Sequence, residues 1–127
     1  MVILDSSAVL AALYQEQGTD VVTAHLEDET VITAVNFEET LRILVQRGMT
    51  WEAASRTLDE LDAEVLDFTA GMAFESAART AQLPAGLGIA DRCCLGAAAK
   101  LRASVLTADR AWRDLGPIFG VDVIVIR

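Results

Sequence analysis

Four acidic residues stand where a strand has just ended or a helix is starting, and any chemistry in this chain would fall to them. Asp5 ends the apolar run Val2 to Leu4, and Asp109 comes just after Ser104 to Leu106 in the segment SVLTAD. Glu39 falls in the first turn of a helix that follows Thr30 to Thr33, and Asp91 in the first turn of a helix behind the loop LPAGLG. Taken singly, each has a structural explanation. Asp caps helices, acids favour the positive end of a helix dipole, and Asn36 to Glu39 fits a capping box with Asn36 as cap. Taken together they point elsewhere. Acids that follow parallel strands, or open the helices behind them, meet at the carboxyl edge of the sheet, where open α/β folds hold their ligands. Carboxylates gathered there repel and raise one another's pKa unless cations offset the charge. An all-oxygen set selects hard ions, Mg²⁺ or Mn²⁺. Such a site suits metal-assisted phosphodiester hydrolysis and needs no His or Cys nucleophile. The one histidine, His25, lies in a surface-like helix and is given no role.

The elements that must position these acids follow from the hydrophobic pattern. Val2 to Leu4 reads as a buried strand, and Ser6 to about Gln15 as a helix starting directly behind it. Thr19 opens a short helix after Gly18, and the β-branched Thr30 to Thr33 forms a second strand. A helix from Phe37 to Arg47 stops at Gly48, and Thr50 caps another that runs to Leu61. Glu64 to Phe68 is a third strand, followed by an alanine-rich helix from Thr69 to about Ala81. Beyond the LPAGLG loop a helix spans Ile89 to Leu101, and Ser104 to Leu106 is a fourth strand. A short helix around Arg110 to Asp114 and a fifth strand, Val121 to Ile126, close the chain. Strands alternating with helices imply right-handed crossovers, hence a three-layer α/β/α domain with a mostly parallel central sheet.

Bulk properties narrow the class. The 127 residues suit a single domain, 1–127, that buries roughly two-thirds of its unfolded surface. Hydrophobic residues make up 53% of the chain, too many for extended disorder. Cys93 and Cys94 are adjacent, a pattern that fits neither a disulfide framework nor a zinc site and reads as apolar filler in a reducing cytosol. No apolar run reaches the ~20 residues of a membrane span. The amino terminus has no basic n-region, so a cytoplasmic protein is expected. The net charge of -9 argues against broad non-specific binding to nucleic acid, though cations bound among carboxylates would reverse the sign locally.

At this point the chain resembles a known family. VILDSSAVLAAL, AVNFEETLRIL around Glu39, GLGIADRCCLGAAAKL around Asp91 and SVLTADRAW around Asp109 are similar, in order and spacing, to a PIN domain. The likeness is to the VapC-type toxin ribonucleases of type II toxin–antitoxin pairs. It implies that Asp5, Glu39, Asp91 and Asp109 form an acidic metal site. The family's VN-x-x-E pattern, here Val35 to Glu39, selects Glu39 over its neighbour Glu38. It also implies supporting roles for Ser6, Asn36 and Thr107, and a match at Arg110 and Trp112, the latter read as core. By the same resemblance the protein would be a Mg²⁺-dependent endoribonuclease, with Mn²⁺ as substitute, cutting a structured or transfer RNA. Its partners would be a cognate VapB-type antitoxin, with a basic side chain inserted among the acids, and a second copy in a homodimer. Arg42, Arg47, Arg92, Lys100 and Arg102 are available to phosphate, or are solvated helix charges.

Rival acidic-site α/β readings fit less well. A receiver domain needs paired acids after its first strand, where this chain has Ser6 and Ser7. A dehalogenase-type phosphatase needs an Asp at position 7, which is Ser7. A Rossmann oxidoreductase needs a G-x-G-x-x-G turn that is absent. A catalytically inactive PIN-like interaction module is the remaining alternative, since folds do not dictate activity.

Overall fold

Short runs of β-branched and aliphatic residues give five strands in the computed structural model, which describes residues 1–127. They are β1 (Val2–Leu4), β2 (Thr30–Thr33), β3 (Glu64–Leu66), β4 (Ser104–Thr107) and β5 (Val123–Val125). Between them lie α1 (Ser6–Leu13), α2 (Thr19–His25), α3 (Ala34–Gln46), α4 (Trp51–Asp59), α5 (Ala70–Ala77), α6 (Ile89–Leu101) and α7 (Trp112–Phe119), with a 3₁₀ turn at Thr80–Gln82. Every strand pairing is parallel, and the order across the sheet is β3-β2-β1-β4-β5. The chain therefore builds outward from β1 to β3, then returns past β1 to lay down β4 and β5. That reversal makes the gap between the carboxyl ends of β1 and β4 the switch point of the sheet.

Side-chain alternation along the strands divides the core in two. Val2 and Leu4 of β1, Ile32 of β2 and Leu106 of β4 face a cluster with Val9, Val22, Leu41, Leu44 and Leu58 from α1 to α4. Ile3, Val31 and Val105 face the opposite cluster, with Met72, Leu95, Trp112, Leu115 and Phe119 from α5 to α7. Burial on both faces explains why the central strands read as unbroken apolar runs. On the second face α5 and α6 approach closely at Gly96, where a Cβ would lie 2.7 Å from the Met72 carbonyl oxygen. No helix is long and apolar enough to cross a membrane.

The three-layer α/β architecture expected from the sequence is present, and several boundaries differ for identifiable reasons. The third helix starts at Ala34, not Phe37, because Thr33 at the end of β2 is its cap and accepts from the Asn36 N–H at 3.1 Å. Strand passes into helix with no loop, so Asn36 is not a cap, the capping box does not form, and Glu39 lies in the second turn. The first and fourth helices stop early, at Leu13 and Asp59; Gln15 and Asp62 just beyond them adopt the left-handed conformation. The helix expected to reach Ala81 ends at Ala77 and gives way to the 3₁₀ turn. The last helix is longer and later than the expected Arg110 to Asp114. It spans Trp112–Phe119, carried through the exposed Pro117 by the buried row Trp112, Leu115 and Phe119. The third and fifth strands are shorter than their apolar runs, and β5 is only partly buried, as an edge strand is. Strand β4 is one residue longer than expected, and the added residue, Thr107, pairs with Val125.

Candidate functional site

At the switch point the backbone fixes Asp5 before any side chain is considered. Its N–H donates to the Leu106 carbonyl at 2.9 Å, so the end of β1 is held against the end of β4. Its carbonyl accepts from the N–H groups of Ala8 and Val9, which starts α1 immediately. The side chain is buried, 4% exposed, and stands beside a cavity of ≈ 190 Å³. That cavity is lined by Asp5, Ser6, Ser7, Leu10, Glu39, Ile43, Asp91 and Asp109. All four acids singled out in the sequence thus meet around one opening, delivered by β1, α3, α6 and the turn after β4. No basic side chain lines it.

The electrostatics match a crowded set of carboxylates. Burial pushes the Asp91 carboxyl up to about 6, and the charges of Asp5, Glu39 and Asp109 push in the same direction. Burial also raises the Asp5 carboxyl, opposed by hydrogen bonds from Ser7 and Thr107 and reinforced by Glu39. Both hydroxyls donate to the same oxygen, Oδ2, from Ser7 Oγ at 2.5 Å and from Thr107 Oγ1 at 2.8 Å. Every fully buried side-chain oxygen has a partner, so Oδ1 is the Asp5 oxygen that opens on the cavity. Asp109 is exposed, and its Oδ1 accepts from the Ala111 N–H at 2.9 Å, which shapes the turn into α7.

Asn36 is fully buried yet does not line the cavity. Its Oδ1 accepts from Thr33 Oγ1 at 2.5 Å, and its Nδ2 donates to the Ala90 carbonyl at 3.3 Å and to Ser6 Oγ at 3.4 Å. Ser6 in turn donates to the Asn36 carbonyl at 3.1 Å. These bonds tie together α1, α3 and the start of α6, the helices that carry Glu39 and Asp91 and that begin behind Asp5. Thr107 touches Asp5 directly, whereas Ser6 touches Asn36 instead. The hydroxyl that binds Asp5 from α1 belongs to Ser7, which the sequence reading passed over. The available signal was its place two residues after a carboxylate at a helix start, where a hydroxyl can turn back toward the acid.

Neighbouring candidates are separated by the same geometry. Glu38 points outward and sits 3.8 Å from Arg42 in an exposed i,i+4 pair, while Glu39 faces the cavity. Arg92, next to Asp91, donates to the Leu87 carbonyl and lies outside the cavity lining. Arg47 covers the Tyr14 ring at 4.8 Å from its centroid. Trp112, Cys93 and Cys94 are core, and burial raises both thiols above their ordinary range. His25 Nδ1 contacts the Val21 carbonyl of its own helix.

The donor set is carboxylate oxygen alone, which is the chemistry of a hard cation. As placed, no three of these groups converge on one point closely enough to hold an ion between them. Mg²⁺ does not need that, because it keeps several waters and takes one or two carboxylates from the protein. The residues present therefore fit such an ion, which would offset the charge that Asp5, Glu39 and Asp109 place around the buried Asp91 carboxyl.

An all-parallel sheet with an acidic cluster at its switch point defines an α/β domain of the kind that handles ligands at the carboxyl edge of its strands. More particularly, the chain belongs to the PIN domain family: the model of that family matches residues 2–116. Members of this family are typically nucleases. No curated protein sequence matches the chain. Among solved structures, the chain is similar to VapBC2 from Rickettsia felis, crystallised bound to a DNA fragment from its promoter. That match has 16% identity over 100% of both chains and a TM-score of 0.79. It is similar to a toxin–antitoxin complex from Klebsiella pneumoniae, at 15% identity over 100% of this chain and 98% of that one, with a TM-score of 0.76. FitAcB from Neisseria gonorrhoeae matches at 19% identity over 98% and 96%, with a TM-score of 0.67. At these identities the likeness is one of fold.

Proposed function

We propose that this chain, acting as one domain over residues 1–127, is a metal-dependent endoribonuclease and the toxin of a toxin–antitoxin pair. One observation carries the reading: Asp5, Glu39, Asp91 and Asp109 surround one cavity at the sheet's switch point, with the Asp91 carboxyl raised by burial and by the charges of the other three. Asp5, Glu39, Asp91 and Asp109 would hold Mg²⁺ or Mn²⁺. When bound, such a cation supplies Lewis acidity, favouring the hydroxide form of a water and stabilising charge on phosphodiester oxygens. The chain's own groups do the rest. Asp5 is held by two hydroxyls with one oxygen toward the opening. Asp91, raised to about 6 by burial and by its acidic neighbours, would be favoured in its ionised form by a cation among them. Glu39 and Asp109 complete a negative rim that an anionic backbone can approach only with cations present.

The charge of the chain supports the partner assignment. A net -9 favours a basic antitoxin segment laid across the acidic opening, competing with RNA for it. Similarity of fold to toxin–antitoxin structures agrees with that reading. The substrate is assigned as a structured or transfer RNA, the working form as a homodimer, and the compartment as the cytoplasm.

Inducible expression of the wild type beside Asp5→Asn and Asp109→Asn variants, with mapping of new RNA 5′ ends, tests the proposal. Growth arrest and discrete cuts with the wild type alone are expected. Undiminished cleavage by either variant would remove the assignment. The inactive-module alternative predicts no change in thermal stability when Mg²⁺ or Mn²⁺ is titrated into the purified protein.

A further inference from the structure

We propose that Ser7 is a positioning residue of this site: with Thr107 it forms a two-hydroxyl bridge that sets which oxygen of Asp5 faces the acidic cavity. The inference rests on the reading of the acids as a metal centre.

The bridge follows from counting hydrogens. Ser7 Oγ and Thr107 Oγ1 each carry one, and both are given to Asp5 Oδ2, at 2.5 and 2.8 Å. The two hydroxyl oxygens are 3.2 Å apart, with neither hydrogen left for the contact between them. Each oxygen is in turn an acceptor. The Ala108 N–H donates to Ser7 Oγ at 2.9 Å, and the Asp109 N–H donates to Thr107 Oγ1 at 3.1 Å. Two consecutive backbone N–H groups just past β4 are thus relayed through two hydroxyls onto one carboxylate oxygen.

This arrangement has two consequences. Two hydroxyl donors on Oδ2 fix the rotation of the carboxylate, so Oδ1, which takes neither hydroxyl, is the oxygen turned toward the cavity. The same bonds tie the turn that carries Asp109 to the start of α1, so the acids from β1 and from the turn after β4 are held as a unit. Ser7 is the member of the bridge that comes from α1. Thr107 alone would restrain Asp5 from the β4 side and leave the Ala108 N–H without its partner. Groups that orient ligating carboxylates in this way are typically worth about 10- to 100-fold in metal affinity.

Two measurements on the full chain test this. Calorimetric titration with Mn²⁺ should show weaker binding by Ser7→Ala, by about 10- to 100-fold, and recovery in Ser7→Thr, which keeps the hydroxyl. Amide exchange by NMR in chelator should accelerate at Ala108 in Ser7→Ala, with Asp109 and the ladder amide of Val105 unchanged. A Ser7→Ala protein that binds Mn²⁺ like the wild type overturns the positioning role and leaves the metal centre standing. A wild type that binds no Mn²⁺ overturns the metal centre and the positioning role with it. Unchanged exchange at Ala108 overturns the bridge whatever the metal does. Equal loss of affinity in Ser7→Thr and Ser7→Ala would assign the effect to packing and also overturn it.

Discussion

Replacing Asp91 by Asn should stabilise the metal-free protein, which is the opposite of what a structural first-turn acid would do. Asp91 rises from 3.8 to about 6 through burial and the charges of Asp5, Glu39 and Asp109. A carboxyl raised in the folded state binds more protons there than in the unfolded chain, so its ionisation costs stability above pH 6. That cost fades as the pH falls through 6 toward 4. At about 1.4 kcal/mol per unit the full shift corresponds to about 3 kcal/mol. Asp91 is only partly buried, and solvent screening reduces this to about half. Losing an acid from the first turn of α6 returns roughly 0.5 kcal/mol through the helix dipole. The net gain is about 1 kcal/mol at pH 7.5, which for a chain of this length raises Tm by about 4 °C. Thermal unfolding of wild type and Asp91→Asn in EDTA, from pH 4 to pH 8, measures it. The gap should be widest above pH 7 and close near pH 4, and saturating Mn²⁺ should stabilise the wild type more than the variant. Destabilisation in EDTA, or a gap as wide at pH 4 as at pH 8, would refute the repulsion argument.

Two further outcomes follow from the same geometry. Asn36→Ala removes a fully buried amide that joins Thr33, Ser6 and Ala90, leaving buried groups unpaired. It should cost on the order of 2–3 kcal/mol in urea unfolding. Glu39→Gln should weaken the Mn²⁺-induced rise in Tm, whereas Glu38→Gln, which loses only an exposed pair with Arg42, should retain it within about 0.5 kcal/mol of wild-type stability.

Much of the scaffold was legible because it rests on local pattern. Val2 to Leu4 and Ser104 to Leu106 are too short and too apolar to be anything but buried strands between helices. Their following acids, Asp5 and Asp109, were therefore placed at the carboxyl edge from order alone. The mistaken boundaries were local as well. Thr33 ends β2 as its β-branched run implies, but it also caps α3, which moves Asn36 from cap to buried hub. The helix expected around Arg110 to Asp114 instead runs through Pro117 to Phe119, because the pull of a buried aromatic and aliphatic row outweighs one missing backbone bond on the exposed side.

What the sequence by itself determined is the set of acids and the kind of element that bears each one, since apolar periodicity is written residue by residue. It did not determine which strands are neighbours. That β4 returns to lie against β1 is decided by how both helix layers cover the sheet, and it alone brings Thr107 to Asp5 across 102 positions of chain. Nor could it choose between Ser6 and Ser7, or fix the outward turn of Glu38. Successive residues on a helix differ by about 100° in direction, so the docking angle of the helix settles which one meets the site. In α1 that angle sends Ser6 to Asn36 and Ser7 to Asp5.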